Sequence, residues 1–281
     1  MCITFFHLNS DSGSPYKLII VMNRDEYTGR PTAQSSWQDG LLAGWDQQPG
    51  REGGTWLAAD RKGRVGLLTN IFTGGVLQEN AAGRGFLITE WLRSNQSAES
   101  YLKNLSQDNK LYNPFNLILF EQDDHGQYCV WRYTRGKKGH TESFGPQQET
   151  SGTFGVGNHP QHQPYRKSVW GKEQLEEMVG KWKEDNTKVS DTLENLMLDK
   201  RLHWPDHQII AQSKNEDGPP GPFAKNGEKL SSVFVEIDSE YQTRTTTTIL
   251  VSQDDHVFFR ENNWTGAKIS SVEEYIIQND L

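Results

Sequence analysis

The chain is short of cysteine, of positive charge and of long hydrophobic runs. Only two of its 281 residues are cysteines, Cys2 and Cys129, so it is not a disulfide-rich secreted domain. Its 29 Lys and Arg residues face 37 Asp and Glu residues, which gives a formal net charge of −8; the basic surface of a nucleic-acid-binding protein is therefore not expected. The longest apolar runs, at residues 18–22 and 116–120, have the length of strands, so no transmembrane segment is expected.

The start of the chain carries no visible secretory signal. The apolar stretch at residues 3–6 is too short for the hydrophobic region of a signal peptide, and no basic residue precedes it. With so few cysteines, this predicts a cytoplasmic protein. Peripheral association with an organelle remains compatible with the sequence.

Segments of β character and of helical character follow each other in blocks. Hairpins are predicted for residues 3–8 with 17–22, 56–59 with 65–69, and 115–120 with 128–133, and further strands at 154–156, 233–237, 245–251 and 257–260. Helices are predicted at residues 85–93, 97–105, 165–183 and 189–198. This order predicts an α+β fold, with antiparallel sheets covered by segregated helices, in a single domain over residues 1–281.

The second residue offers a reactive group. Cysteine is small enough for an aminopeptidase to remove Met1, which would leave Cys2 with both a thiol and a free α-amine. An α-amine has an unperturbed pKa of about 8, so it can accept the thiol proton at neutral pH. Cys2 is therefore a candidate N-terminal nucleophile. The alternative interpretation is a cysteine buried in the first strand for packing alone.

Four short motifs place polar or glycine residues at the ends of predicted strands. They are Asn23-Arg24-Asp25-Glu26, Gly53-Gly54-Thr55-Trp56, Leu68-Thr69-Asn70 and Gly157-Asn158-His159-Pro160. Sites in layered folds are commonly built where strands stop, so these motifs predict a shared site. Structural alternatives exist for each: Asp and Asn often cap turns, and glycines allow close backbone approach.

With further segments, these motifs resemble the NRDE family, also called the transport and Golgi organisation family. The further segments are Met1-Cys2-Ile3, Tyr112-Asn113, residues 115–118, Arg166-Lys167 and Thr243-Arg244-Thr245. The resemblance covers nearly the whole chain. It implies a four-layer αββα sandwich of the N-terminal nucleophile hydrolase type, related to the choloylglycine hydrolases and penicillin V acylases.

The resemblance to those hydrolases implies catalytic roles for residues near the start of the chain. Cys2 would be the nucleophile and, through its amine, the base, while Asp25 would hold and orient that amine. Arg24 or Arg244 would lower the pKa of the thiol, because a nearby cation favours thiolate. The reaction would be cleavage of an amide or a thioester through an acyl-enzyme.

The same resemblance implies an oxyanion hole made by the backbone N–H of Asn70 and the side-chain amide of Asn158. One such donor is worth about 3 kcal/mol of transition-state stabilisation. The chain also departs from the hydrolase pattern. The hydrolases carry an arginine before a Phe-Val pair late in the chain, whereas this chain has Ser231-Ser232-Val233-Phe234-Val235, with Arg244 further on.

For members of the family in animals, the resemblance implies a different function. It implies roles in secretion and Golgi organisation, in haem handling and in acyl-lipid or coenzyme A homeostasis, with cytoplasmic, mitochondrial and Golgi-associated locations. The cleft that holds an acyl chain in the hydrolases would then carry haem or an acyl-coenzyme A. Predicted ligand-binding residues are Asn23, Glu26, Gly53, Gly54, Thr55, Trp56 and His159.

Haem is expected here as a ligand; no metal site and no catalytic cofactor are expected. His159, His162 or the Cys2 thiolate are candidate iron ligands. Candidate partners for a propionate or phosphate group are Arg24, Arg51, Arg84 and Arg166. Three hypotheses follow: a carrier of a hydrophobic metabolite, which we favour, an N-terminal cysteine hydrolase or thioesterase, and an interaction protein of the secretory pathway without a small-molecule site.

Overall fold

Strands dominate the computed structural model, which describes residues 2–9, 13–74, 77–136, 143–183, 185–214 and 224–278. In chain order, the strands in these ranges are β1 (Cys2–Leu8), β2 (Tyr16–Tyr27), β3 (Thr32–Gln38), β4 (Leu41–Asp46), β5 (Leu57–Asp60), β6 (Val65–Asn70), β7 (Phe115–Gln122), β8 (Tyr128–Arg135), β9 (Phe144–Glu149), β10 (Gly152–Val156), β11 (Glu236–Ile237), β12 (Tyr241–Ser252), β13 (His256–Thr265) and β14 (Lys268–Gln278). The α-helices are α1 (Phe86–Arg93), α2 (Ala98–Gln107), α3 (Arg166–Val179), α4 (Asn186–Met197) and α5 (His207–Ser213).

The strands form two seven-stranded sheets in which every neighbouring pair is antiparallel. The first sheet has the order β10-β1-β2-β12-β13-β14, with β11 paired to β12, and the second has the order β3 to β9 in sequence. In the second sheet each strand pairs with the next in the chain, so short hairpins connect it. In the first sheet β12 from the end of the chain pairs with β2 from its beginning.

Three apolar clusters define the layers. Between the sheets, side chains such as Phe6 of the first sheet pack with side chains such as Ile118 of the second. The outer face of the first sheet packs under α3 and α4, where Phe5 meets Leu175. The outer face of the second sheet packs under α1 and α2. The predicted α+β fold with a four-layer αββα sandwich is confirmed.

Alternation along β1 and β2 sends neighbouring residues into different layers. Successive side chains of a strand point to opposite faces of the sheet. Cys2 belongs to the cluster between the sheets, whereas Ile3 belongs to the cluster under the helices. Cys2 is paired with Arg24, and Ile3 with Asn23. Cys2 and Arg24 therefore share the inter-sheet side, and Asn23 lies on the helix side.

Two glycines let α3 approach the first sheet closely. A Cβ atom on Gly171 would lie 2.0 Å from the Phe5 ring, and one on Gly155 would lie 2.3 Å from the backbone oxygen of Ser168. Only glycine fits at such distances. This close packing sets the first turn of α3 against the end of β10. None of the described helices has the length and apolarity needed to cross a bilayer.

Most predicted elements are confirmed, and the exceptions have physical causes. The hairpins β1–β2, β5–β6 and β7–β8 and the helices α1 to α4 match the predicted segments. The sequence did not indicate β3, β4, β9, β14 or α5. The predicted strand at residues 233–237 is wrong in extent, because only Glu236–Ile237 is paired. Upstream, Phe234 bonds to a loop carbonyl, that of Asp199, and the Val233 carbonyl accepts a bond from the Asn23 side chain.

Candidate functional site

A cavity of about 530 Å³ opens where the inter-sheet layer meets the ends of β2 and β6. Its buried lining residues include Cys2, Arg24 and Trp56, which are 7%, 4% and 7% exposed. Its rim includes Tyr27 and Leu77, which are 40% and 47% exposed. The cavity is therefore a cleft whose buried end lies at Cys2.

The Cys2 thiol is held at the start of β1, opposite Arg24 of β2. Burial raises the pKa of this thiol above its ordinary value, and the negative charge of Asp25 acts in the same direction. The Arg24 charge and a hydrogen bond from the Asp25 backbone act to lower that pKa, but burial is the larger effect. The pKa of the thiol therefore lies above its ordinary value although Arg24 is close to it. Met1, whose removal the sequence predicts, lies outside the described residues.

Asp25 is almost completely buried, at 2% exposure. Thr243 Oγ1 donates to its carboxylate at 2.7 Å, and the Tyr241 hydroxyl donates to its backbone oxygen at 2.9 Å. Burial raises the pKa of Asp25 to about 6, while the nearby Lys167 charge acts to lower it. Lys167 is itself fully buried in the first turn of α3, where its Nζ donates to the Ser232 oxygen at 2.9 Å. A buried cation and a buried carboxyl thus face the helix side of the site.

Arg24 connects the two sheets at the cavity. Its guanidinium lies over the Trp56 ring at 4.0 Å from the ring centre, and its Nη2 lies 3.7 Å from the Glu26 carboxylate. Its Nη1 is buried and has no hydrogen-bond partner in the described part of the chain. Burial lowers its pKa, and Glu26 acts to raise it. The cavity therefore contains a buried cation with an unused donor.

The two residues predicted to supply oxyanion donors, Asn70 and Asn158, contact each other and line the cavity. Asn158 Nδ2 donates to the Asn70 backbone oxygen at 2.6 Å, which uses one of its two N–H groups. The Asn158 backbone oxygen accepts bonds from the Phe72 N–H and the Tyr165 hydroxyl, both at 2.9 Å. This fixes Asn158 against the loop that follows β6. The second N–H of Asn158 has no protein acceptor within the described ranges and could serve a ligand oxygen.

A buried polar network joins the second sheet to the segment at residues 157–159. Asn116 Nδ2 lies within hydrogen-bond reach of the backbone oxygens of His159 and Gly157, at 2.8 and 3.3 Å. Thr69 Oγ1 donates to the Gly157 oxygen at 2.8 Å, and Thr134 Oγ1 donates to Asn116 Oδ1 at 2.7 Å. The second sheet thereby holds the segment that carries Asn158.

His159 does not line the cavity. Its ring is fully buried, with Nδ1 at 2.9 Å from the Pro160 oxygen and Nε2 at 2.9 Å from Ser168 Oγ. The Gly157 N–H donates to the same Nε2 at 3.1 Å. Burial lowers the pKa of His159 to about 4. The ring is therefore neutral at pH 7, and both of its nitrogens are used inside the protein.

Five other predicted residues also lie outside the cavity lining: Asn23, Gly53, His162, Arg166 and Arg244. Asn23 Nδ2 donates to the Met197 oxygen at 2.8 Å on the helix side. Gly53 forms a turn with φ of 80°, and its N–H donates to the Asp46 oxygen. Arg244 is the extra residue of a β-bulge in β12, between the paired residues 243 and 245. A bulged residue has no partner in the strand ladder, so the Arg244 side chain does not follow the alternation of its neighbours.

Eight predicted residues line the cavity besides Cys2, Arg24 and Asp25. They are Glu26, Arg51, Gly54, Thr55, Trp56, Asn70, Arg84 and Asn158. The Thr55 hydroxyl is committed to the protein, because its oxygen lies 2.7 Å from the Gly44 oxygen and 2.9 Å from the Leu57 oxygen, and its one hydrogen is donated to either of them. Thr55 therefore shapes the wall and offers a ligand no free hydroxyl hydrogen.

The structure adds lining residues that the motifs did not indicate. Arg30 and Asp46 form an ion pair of 2.5 Å at the cavity, and Asp46 belongs to the unpredicted hairpin β3–β4. Residues 77–79 and 82–86 line the opposite side. This segment has no strand or helix periodicity before α1, so only the packed structure reveals its position. Among the described residues, no group of three His, Cys, Asp or Glu side chains could hold a metal ion.

The fold and the site define an α+β sandwich with a cleft that ends at a buried cysteine. The family model described as Transport and Golgi organisation 2 matches residues 1–266. The chain belongs to this family, which confirms the family predicted from the motifs.

Relatives from animals match nearly the full chain. The transport and Golgi organization protein 2 homolog of Bos taurus is 35% identical over 274 residues, covering 95% of this chain and 94% of that protein. The Homo sapiens homolog is 33% identical over 279 residues, covering 97% and 96%. The Drosophila melanogaster protein is 31% identical over 278 residues, covering 95% and 93%.

A solved structure is also similar in overall arrangement. It is the crystal structure of the C2A mutant of the conjugated bile acid hydrolase from Clostridium perfringens. The comparison gives a TM-score of 0.42 and 11% sequence identity, over 97% of this chain and 96% of that one.

Proposed function

We propose that this chain binds a long-chain acyl thioester of the coenzyme A class and takes part in its trafficking and homeostasis. The observation that carries the proposal is a cavity of about 530 Å³ that combines apolar walls, a buried cysteine and several arginines. Pockets of roughly 300–1,000 Å³ with apolar walls and few polar groups are typical of small-molecule sites.

The apolar part of the cavity suits an acyl chain. Trp56, Leu68, Ile71, Phe72 and Phe86 contribute to its walls. Burying an acyl chain against such walls stabilises a complex by roughly 25 cal/mol for each Å² removed from water.

The cationic part of the cavity suits an anionic group. Arg84 Nη1 donates to the Pro114 oxygen at 2.9 Å, and Arg51 Nη2 donates to the Ala81 oxygen at 3.0 Å. Neither has a carboxylate within ion-pair distance among the described residues, so their charges are available to a ligand. Guanidinium groups bind phosphate and carboxylate in a bidentate manner.

Haem is the competing ligand in this proposal, and the cavity supports it less well. No histidine is part of the described lining, and His159 is enclosed with both ring nitrogens bonded. Of the predicted iron ligands, only the Cys2 thiol is part of the described lining. An acyl thioester needs no such ligand.

The family name connects its members with transport and Golgi organisation. We extend the proposal to a role of this chain in Golgi organisation and secretion. A cytoplasmic location with mitochondrial and Golgi association belongs to the same proposal. A carrier of acyl thioesters would link these membranes, because acyl thioesters supply lipid synthesis.

The experiment is a calorimetric titration with hexadecanoyl-coenzyme A, followed by a separate titration with haem. We expect saturable one-to-one binding of the acyl thioester, and about tenfold weaker binding by Arg84→Gln because one charge-assisted contact is lost. Arg61→Gln is the matched control, since Arg61 is exposed and stacks on Trp37 away from the cavity. Absence of saturable acyl thioester binding, or tight binding of haem alone, contradicts the proposal.

A second function, acyl transfer to Cys2, is favoured by the position of the thiol in the same cavity beside Asn70 and Asn158. Cys2 Sγ would attack the thioester carbonyl, its proton would pass to the departing coenzyme A sulfur, and an S-acyl cysteine would form. Water would then add its hydroxyl to the acyl group and return a proton to the thiol. Because burial raises the pKa of the thiol, the step needs a base.

Intact-protein mass spectrometry after incubation with the acyl thioester tests this second function. The expected result is an acyl adduct that maps to Cys2 and is absent from Cys2→Ala. Cys129→Ala is the matched control, because Cys129 is the other free cysteine and lies outside the cavity. Binding without any adduct leaves the carrier function and contradicts the acyl transfer.

A further inference from the structure

We propose that a shallow groove outside the cavity binds the phosphate-bearing head group of the acyl thioester, with Arg51 as its main cation. The proposal rests on the proposed function, since it assigns the rest of the same ligand. The groove is lined by Tyr27, Gly29, Arg30, Gln48, Pro49 and Arg51.

The groove is continuous with the cavity. Tyr27, Arg30 and Arg51 line both. A ligand whose acyl chain lies near Cys2 therefore leaves the cavity past these three side chains. A cavity of about 530 Å³ has the size of a site for one drug-sized molecule. A long acyl chain together with a nucleotide head group exceeds that size, so the head group must lie outside.

Arg51 supplies the positive charge of the groove. The other groove cation, Arg30, is compensated, because its guanidinium lies 2.5 Å from the Asp46 carboxylate and 3.7 Å from that of Glu26. Arg51 instead donates to a neutral acceptor, the Ala81 oxygen, and has no ion pair among the residues described. A phosphate at Arg51 would gain a charge-assisted contact without displacing an acidic side chain.

A further cation borders this position from the cavity side. Arg84 lines the cavity, and burial lowers its pKa to about 10. The charges of Arg30 and Arg51 add to that lowering, while the Glu26 charge opposes it. The Arg30 and Arg51 guanidinium groups therefore both lie close enough to Arg84 to repel its charge. An anion between Arg51 and Arg84 would relieve this repulsion.

The wall of the groove is a braced turn. Arg244 Nη1 donates to the backbone oxygens of Arg30 and Tyr27 at 2.6 and 3.2 Å. The Thr28 N–H donates to the Glu240 oxygen at 2.8 Å. Arg244, which does not reach the cavity, thus fixes the turn that carries Tyr27 and Arg30. Preorganised walls reduce the entropy lost on binding.

Tyr27 offers an aromatic surface to the head group. Its side chain is the exposed member of an edge-to-face pair with Tyr241, whose ring centre lies 5.2 Å away. A purine base can stack on such a ring, with a contribution of about 1–3 kcal/mol. Arg51 and Tyr27 together match a ligand with both phosphates and a base.

The test compares two thioethers that cannot be cleaved, S-hexadecyl-coenzyme A and S-hexadecyl-pantetheine, which lacks the nucleotide and all phosphates. We expect the wild-type chain to bind the first about tenfold more tightly. Arg51→Gln should remove this preference and leave the affinity for the pantetheine thioether unchanged. Arg61→Gln should keep the preference. Raising the salt concentration should weaken only the coenzyme A thioether, because its contacts are exposed and ionic.

The possible failures can be told apart. Equal wild-type affinity for the two thioethers overturns the head-group site and leaves the acyl cavity standing. Binding of neither thioether overturns the proposed function itself. Equal weakening of both by Arg51→Gln shows a structural role for Arg51 and also overturns the head-group site. If Arg51→Gln does not fold, Arg51→Lys should retain the preference in part. The ratio of the wild-type affinities for the two thioethers, and its dependence on salt, still test the head-group site.

Discussion

The two faces of β2 at its cavity end have different surroundings. Arg24 lies between the sheets, over the Trp56 ring and with an unused donor. Its neighbour Asn23 lies under the helices, where it donates to the Met197 and Val233 oxygens and accepts from Thr246 Oγ1 at 2.7 Å. One motif therefore serves two purposes: Arg24 on one face lines the cavity, and Asn23 on the other attaches the helix layer to the sheet.

The largest effect is expected for the helix face. Asn23→Ala removes three buried hydrogen bonds and leaves two backbone oxygens without that donor. We expect a loss of about 4 kcal/mol in the free energy of unfolding, measured by urea denaturation. Asn104→Ala is the control, since Asn104 bonds to Gln96 on the exposed surface of α2, and should cost under about 0.5 kcal/mol. A loss of ligand affinity at unchanged stability in Asn23→Ala would contradict the division between the faces.

The close packing of α3 on the same face gives the next effect. Gly171→Ala places a methyl group 2.0 Å from the buried Phe5 ring, so we expect a destabilisation of about 3 kcal/mol. Gly180→Ala provides the control at the end of the same helix, because no atom of the described residues lies within 4 Å of its Cβ position. Denaturation midpoints of the two variants should differ clearly; equal midpoints would show that α3 does not pack as closely as described.

On the inter-sheet face, a buried carboxyl predicts a pH effect on stability. Glu261 accepts from the Ser35 N–H at 3.0 Å, and burial raises its pKa to about 7. Between the pKa of the unfolded chain and a pH of about 7, Glu261 keeps its proton in the folded chain and loses it in the unfolded chain. The contribution of Glu261 to stability is therefore present below the unfolded pKa and is lost as the pH rises to about 7. Between pH 5 and pH 8 we expect Glu261 to cost the fold about 2 kcal/mol. In Glu261→Gln, the free energy of unfolding should fall less steeply between pH 5 and pH 8. An unchanged pH dependence in this variant would refute the role of Glu261.

The smallest effect in free energy is expected for the cavity face. Arg24→Gln removes the buried charge near Glu26 but keeps a polar side chain. We expect about tenfold weaker binding of hexadecanoyl-coenzyme A, equivalent to about 1.4 kcal/mol. Calorimetry on Arg24→Gln beside Arg64→Gln, whose guanidinium pairs with Asp60 away from the cavity, would separate the site from a general effect of arginine loss. Equal affinities in these two variants would place the ligand elsewhere.

Local pattern was enough to predict much of the fold. Alternation and helical periodicity placed β1, β2 and α1 to α4, because each of these elements has one apolar face that its period reveals. The same alternation also separates Asn23 from Arg24, since neighbouring residues of one strand point to opposite faces of the sheet. Alternation wrongly predicted a paired strand at residues 233–235, because side chains and a loop supply the hydrogen bonds there.

The candidate site depended more on long-range packing. The strand-end motifs pointed to residues that line the same cavity, such as Arg24, Asn70 and Asn158. Arg30 and Asp46 come together only through the hairpin β3–β4, which has no strong alternation. A β-bulge displaces Arg244, and a local motif does not reveal a shift of register. The enclosure of His159 depends on Ser168 of α3 and on Asn116 of β7. β7 lies far from His159 in the sequence, and the local pattern of α3 does not indicate the contact.

Photo-crosslinking with a hexadecanoyl-coenzyme A that carries a diazirine on its acyl chain tests the central claim most directly. Peptide mapping should place the label on the cavity walls, at residues 54–56 and 68–72, and competition with unlabelled ligand should remove it. Label on α3 and α4, or label that excess ligand does not displace, would contradict an acyl-binding cavity at Cys2.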